Sequence, residues 1–158
     1  MGTRRDPDDG PEVFVTDEGV RWLVNLPALT ALNLSAQPVT DQGVETLAGC
    51  STECGGCPAL TSLELDWCEK VTNTGMWALR NLTTLTSLNV SFSKIDDVGM
   101  LSLSTLPALT DLNISYTSVT DEGLRALANL PALTSLNCEC EFITDEGVAA
   151  LPARVKLY

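Results

Sequence analysis

The sequence predicts an α/β solenoid: a short, curved parallel sheet on one side, backed by short helices on the other. Two observations carry that expectation. A Thr-Asp-x-Gly tetrad stands at Thr16-Asp17-Gly19, Thr40-Asp41-Gly43, Thr120-Asp121-Gly123 and Thr144-Asp145-Gly147, with variants at Thr72-Asn73-Gly75 and Asp96-Asp97-Gly99. Neighbouring tetrads lie 24 residues apart, except that the step from Thr40 to Thr72 is 32. A fixed period in this range marks stacked structural repeats. Between the tetrads runs L-x-x-L-x-L, at Leu29-Leu32-Leu34, Leu60-Leu63-Leu65, Leu85-Leu88-Val90, Leu109-Leu112-Ile114 and Leu133-Leu136-Cys138.

Each part of the repeat has a physical reading. The last two apolar positions of each L-x-x-L-x-L are two apart and share one face of a strand. After the tetrad the apolar step changes to three, as in Leu124, Leu127 and Leu130, which is helical. The tetrad Thr suits a helix N-cap, and the Asp after it suits the positive end of the helix dipole. Recurrent Gly, a poor helix former, points to close approach between stacked repeats. Pro27, Pro58, Pro107 and Pro131 turn the chain toward the next strand.

Written out as L-x-x-L-N-L-S-x-T-x-V-T-D-x-G-L-x-x-L-A-x-L-P, the unit resembles the leucine-rich repeat family. It is similar to the cysteine-containing repeats of F-box-type proteins and to T-D-x-G-L repeats of bacteria and protists. The resemblance spans Val13 to Tyr158, and the cysteine feature itself stands at Cys68, with Ser93 and Thr117 at the equivalent places. It implies a repeat solenoid. Through the F-box-type likeness it also implies, as one alternative, a substrate-receptor fragment of an SCF-type ubiquitin ligase.

The 158 residues make one domain. Residues 1–12, charged and rich in Pro, Gly and Asp, are expected to form a flexible acidic tail, and 13–158 the repeats. Residues 13–27 hold a tetrad without a full L-x-x-L-x-L and form a partial N-terminal repeat. STECGGC, residues 51–57, is an insertion at a helix end. Cys50 and Cys57 both align with the helix-end Leu130, so either can take that core position. LPARVKLY resembles the start of another repeat, with a short edge strand that a partner or further chain would cover.

The net charge of −12 argues against nucleic acid and anionic membrane, whose binding rests on basic patches. No apolar run approaches the roughly 20 residues that cross a bilayer, and the opening residues lack the apolar region of a secretory signal. The expectation is an intracellular protein, cytoplasmic or nuclear, or organellar if a transit segment has been removed.

Catalysis has little to stand on. The chain has no His, no phosphate-cradling glycine loop and no G-x-S-x-G. We expect no enzyme, no cofactor and no obligate small-molecule ligand. Cys50, Cys54, Cys57 and Cys68 fall within a short span, but their spacing is irregular for zinc, and reduced structural cysteines are the leading reading.

Binding is the better candidate. Residues beside the core strand positions should face outward. One column reads Asn33, Glu64, Asn89, Asn113, Asn137; further along come Ser35, Asp66, Ser91, Ser115, Glu139 and then Ala36, Trp67, Phe92, Tyr116, Cys140. Trp67, Phe92 and Tyr116 should form a ladder with a spacing of about 5 Å, set by adjacent strands. With Glu64, Asp66, Asp111, Asn89, Asn113 and Glu139 around them, they resemble an aromatic interface core with a polar rim. Trp22, Trp77 and Tyr158 are secondary contacts. The expected function is a non-enzymatic protein–protein interaction scaffold, a subunit or assembly factor docking onto a larger complex. Carbohydrate or another small ligand on the aromatic ladder is the alternative from a different class.

Overall fold

The computed structural model describes residues 14–50 and 55–158. The expected acidic tail, residues 51–54 of the insertion and the candidate ligand Cys54 lie outside the described residues.

Helices and strands alternate along the chain. They are α1 (Asp17–Leu23), β1 (Ala31–Asn33), α2 (Asp41–Leu47), β2 (Ser62–Glu64), α3 (Asn73–Leu79), β3 (Ser87–Asn89), α4 (Asp97–Leu103), β4 (Asp111–Asn113), α5 (Asp121–Leu127), β5 (Ser135–Asn137), α6 (Asp145–Ala149) and β6 (Lys156–Leu157). The six strands form one parallel sheet in sequence order. Register is strict: Leu32, Leu63, Leu88, Leu112, Leu136 and Leu157 pair in one row. The four interior leucines of that row, Leu63, Leu88, Leu112 and Leu136, are buried, while Leu157 on the edge strand is exposed. The core fills the space between sheet and helices with stacked aliphatic rows. Removing one buried Leu from such a row costs about 2–5 kcal/mol.

The tetrad holds the repeats together more directly than its helix dipole alone would. Asp17, Asp41, Asp97 and Asp121 do stand in the first turn of their own helices, but their carboxylates reach forward into the next repeat. Asp41 accepts from Thr72 N at 2.7 Å, Thr72 Oγ1 at 2.7 Å and Gly75 N at 3.0 Å. Asp97 does the same with Thr120 N, Thr120 Oγ1 and Gly123 N, at 2.8, 2.8 and 3.0 Å. Asp17 takes both Thr40 groups and Asp121 both Thr144 groups. The Thr144 donors favour the ionised carboxylate, so Asp121 titrates below the ordinary carboxylate range. Each of these Thr hydroxyls is used twice: it donates to the previous Asp and accepts the backbone N–H two residues on, as an N-cap.

One junction is rewritten. Where Asp96 replaces Thr, the residue facing it is Asn73 instead of Asp. Asn73 Nδ2 donates to Asp96 Oδ1 at 2.7 Å, and Asp96 N donates to Asn73 Oδ1 at 3.1 Å. Asp96 still caps α4 through Val98 N. The two departures from the tetrad compensate: a carboxylate in place of the hydroxyl needs a donor opposite it.

The tetrad glycines follow from the same contact. A Cβ on Gly43, Gly75, Gly99, Gly123 or Gly147 would lie 2.1–2.7 Å from the side-chain oxygen of the preceding repeat's Asp or Asn. Gly19, in the first described repeat, would meet only Val15 Cγ1 at 3.3 Å.

Two stability predictions follow from this junction. Asn73→Asp removes the side-chain donor to Asp96 and sets two carboxylates together, so it should cost about 1–3 kcal/mol. Adding Asp96→Thr should restore most of that loss, with a coupling of at least about 1 kcal/mol in a double-mutant cycle of urea unfolding. Gly123→Ala should cost about 1–3 kcal/mol through overpacking. By contrast, Gly19→Ala should be neutral or gain up to about 1 kcal/mol from helix propensity; equal losses at the two sites would refute the junction account.

Candidate aromatic interaction site

Each of the first four strands runs into a tight turn, and the row of rings sits there. The turn after β1 is closed by Gln37 N on Leu34 O at 3.0 Å, and the turn after β2 by Cys68 N on Leu65 O at 3.2 Å. Ala36, Trp67, Phe92 and Tyr116 occupy the same turn position with φ of 57°, 59°, 55° and 57°. A positive φ there is the ordinary place of Gly or Asn. For an L residue with a side chain the left-handed region costs about 1–2 kcal/mol.

The backbone continues the sheet through these residues. Ala36, Trp67, Phe92 and Tyr116 each donate their N–H to the following repeat, at 2.8, 3.0, 3.0 and 2.8 Å. Side chains launched from identical backbone positions then superimpose. Trp67 and Phe92 stack with centroids 4.1 Å apart and planes 9° apart, and Phe92 and Tyr116 at 4.4 Å and 12°. The ladder expected from the spacing is present and tighter than the strand separation alone would make it. Trp67 and Tyr116 remain 53% and 57% exposed, whereas Phe92, sandwiched between them, is half-buried.

The polar residues divide into two groups. Asn33, Asn89 and Asn113 accept from the N–H two residues on, at 2.8, 3.1 and 3.0 Å, which shapes the turn. Their carbonyl oxygens are therefore engaged locally, and Ser91 and Ser115 beside them are buried, not outward. The acidic residues are not tied to their own turns in this way. Glu64 and Asp111 share a shallow depression on the open sheet face with Asn89, Asn113, Asn137 and Tyr158. Tyr158 thus joins the predicted site from the edge strand. Asp66 accepts from the Ser35 hydroxyl and from Asn89 Nδ2. Glu139 accepts the Tyr116 hydroxyl at 2.9 Å, and that bond together with the carboxylate's charge raises the Tyr116 pKa.

Trp22 and Trp77 lie on α1 and α3, away from the ladder turns, and both are exposed. The Arg80 guanidinium covers the Trp77 ring at 3.9 Å. Cys57, not Cys50, takes the helix-end core position, and burial pushes its thiol pKa up. Cys50 is exposed and receives a hydrogen bond from Asn81 Nδ2 at 3.0 Å, while Cys68 is buried and donates to Leu34 O at 3.1 Å. Among the described residues no three His, Cys, Asp or Glu side chains converge on a metal position. Nor, among them, is any helix long and apolar enough to cross a membrane.

Sequence reasoning missed several exposed apolar groups. Val98 and Leu101, both more than 60% exposed, stand on the outer side of α4. Their signal was their alignment with Glu122 and Arg125 of the next helix. Phe14 joins Ala36, Pro38 and Trp67 around a notch at one end of the ladder, and Phe142 joins Tyr116 at the other.

The fold and its outward row of rings define a strand–helix repeat solenoid with an exposed aromatic surface. The comparisons place it: one leucine rich repeat model matches residues 83–139 and another residues 56–79. The chain belongs to the leucine-rich repeat family. It is similar to the crystal structure of an internalin from Listeria monocytogenes, at 25% identity and a TM-score of 0.64. That alignment covers 87% of this chain and 36% of the internalin, so the chain spans about a third of that structure's length. No curated protein matches the chain.

The left-handed turns make their own prediction. Ala36→Gly should raise stability by about 0.5–1 kcal/mol, because the backbone strain relieved exceeds the entropy gained by the unfolded chain. Phe92→Gly relieves the same strain but loses two stacking contacts and a half-buried ring, so it should lower stability by about 1 kcal/mol or more. Urea unfolding midpoints of the two variants, moving in opposite directions, are the check.

Proposed function

We propose that the chain is a protein-docking module that engages its partner through the Trp67–Phe92–Tyr116 ladder and the acidic residues beside it. Leucine-rich repeat domains generally mediate protein–protein interaction, and modules of this kind are typically non-enzymatic. The observation that carries the finer reading is the choice of side chain at the turn. Gly or Asn would satisfy the positive φ at lower cost, yet three successive turns carry large rings, the outer two exposed and the middle one half-buried. Strain retained at exposed aromatic positions is characteristic of recognition sites.

The stacking also favours a protein over a sugar. A pyranose stacks on a ring face, and the inner faces of this ladder are covered by one another at 4.1 and 4.4 Å. Between the open end faces of Trp67 and Tyr116, what faces solvent is a continuous band of ring edges, flanked by carboxylates, which suits the apolar and basic side chains of a protein surface.

Capture from native lysate on the intact chain, beside a folded Trp67→Ala, Phe92→Ala, Tyr116→Ala variant, tests the assignment. The expected outcome is a partner protein retained by the first and lost by the second, with circular dichroism unchanged. Retention by both would move the docking surface to the helical side, where Trp77, Val98 and Leu101 are exposed. Saturable binding to a glycan array would replace the protein reading with the carbohydrate one.

A further inference from the structure

We propose that the Tyr116 end of the ladder is a slot for one arginine side chain of a basic partner protein. The proposal rests on the docking role given above and names the chemistry of the group received.

Phe92 covers one face of Tyr116, and the next repeat places no ring in the ladder register against the other. In the register of the ladder it places Cys140. The thiol of Cys140 is turned inward: it donates to Ile114 O at 3.1 Å and lies 3.5 Å from Thr117 Oγ1. The backbone changes there as well. Cys140 does not share the positive φ of the four preceding turns, and its N–H bonds Cys138 O at 2.7 Å. The position where a fourth ring would stack is therefore a depression lined by Tyr116, Thr117, Ser118, Glu139, Glu141 and Phe142.

Its walls are aromatic and acidic. Tyr116 offers a ring face, and Phe142, also exposed, a second apolar surface. Glu139 is held in place by the Tyr116 hydroxyl, Glu141 is exposed beside it, and no lining residue is basic. The opposite end of the ladder differs: the notch beside Trp67 contains Lys70 as well as Glu69, so its charges offset.

A guanidinium meets every demand of the Tyr116 end. It is planar, so it can continue the stack; cationic, so it suits two carboxylates; and rich in donors that fork to a carboxylate. The stacking distance is already realised elsewhere in this molecule, where the Arg80 guanidinium lies 3.9 Å from the Trp77 centroid, close to the ladder's own 4.1 and 4.4 Å. An ammonium is compact and cannot stack as a plane. The net charge of −12 would steer a basic partner toward the surface.

The test titrates the isotope-labelled full chain with N-acetyl-arginine amide, N-acetyl-lysine amide and the neutral isostere N-acetyl-citrulline amide, following backbone amide shifts. We expect saturable shifts from the arginine probe confined to Tyr116–Ser118 and Glu139–Phe142. The lysine probe should bind at least about 5-fold more weakly and the citrulline probe should not saturate. Glu139→Gln combined with Glu141→Gln should weaken the arginine probe by about 10-fold, with the rest of the spectrum unchanged. Absence of saturation, equal response to lysine or citrulline, shifts centred on Trp77, or an unweakened double Gln variant would each overturn the slot. No partner enters this titration. The slot can thus fail while partner capture succeeds, or hold while the triple Ala variant shows that docking lies elsewhere.

Discussion

The structure depends on one contact repeated along the stack, a carboxylate reaching forward into the next repeat. A solenoid has no long-range closure, so each repeat is fixed only by its neighbours. Aliphatic packing supplies most of the energy but tolerates sliding. The tetrad Asp does not, since it accepts from a backbone N–H, a hydroxyl and in two junctions a glycine N–H at defined angles. That contact sets how far one helix stands from the next. It thereby sets the parallel register and the alignment of the turns that carry the rings.

The same contact explains why the tetrad varies as it does. All of its donors are neutral, so an ionised Asp gains hydrogen bonds without a cation buried beside it. Thr at the cap position donates one hydrogen bond and accepts another. Asp at that position can only accept when ionised, which is why Asp96 is met by an Asn amide. The exchange keeps a carboxylate at the junction but moves it from the earlier repeat to the later one. A glycine follows because nothing larger fits under the carboxylate.

Much of the fold was legible because the repeat writes it several times. The alternation around Leu112 and the step from Leu124 to Leu127 needed only the periods of strand and helix, and the ladder followed from counting a fixed offset from the core leucines. What was not legible depended on three dimensions. The Asp reads as a dipole residue within its own repeat, and nothing local says that its partner is 23 or 31 residues away. The left-handed turns were hidden because Ala, Trp, Phe and Tyr are none of the residues that normally announce a positive φ. Cys50 and Cys57 align equally with the core position, and only the folded chain, with both Gly49 and Gly56 at φ 68°, shows that Cys57 is the buried one. The residues beside the core strand positions were all expected to face outward, yet Ser91 and Ser115 are buried, and Asn89 and Asn113 are engaged by their own turns.

The ladder's geometry constrains what its surface can recognise. Three rings at van der Waals separation behave as one rigid object. Their inner faces cannot take part in binding without breaking the stack, which would sacrifice about 0.5–1.5 kcal/mol for each pair opened. Recognition is left to the edges and to the two ends, and the ends differ in charge because the residues beyond them differ. Rigid rings lose little side-chain entropy when a partner docks, which is the usual advantage of aromatic anchors. The strain in the turns, expressed as positive φ at residues with large side chains, is met during folding and is already present in the free chain. A partner therefore meets a surface organised in advance, and the repeat junctions, by holding consecutive turns in register, are what keep it so.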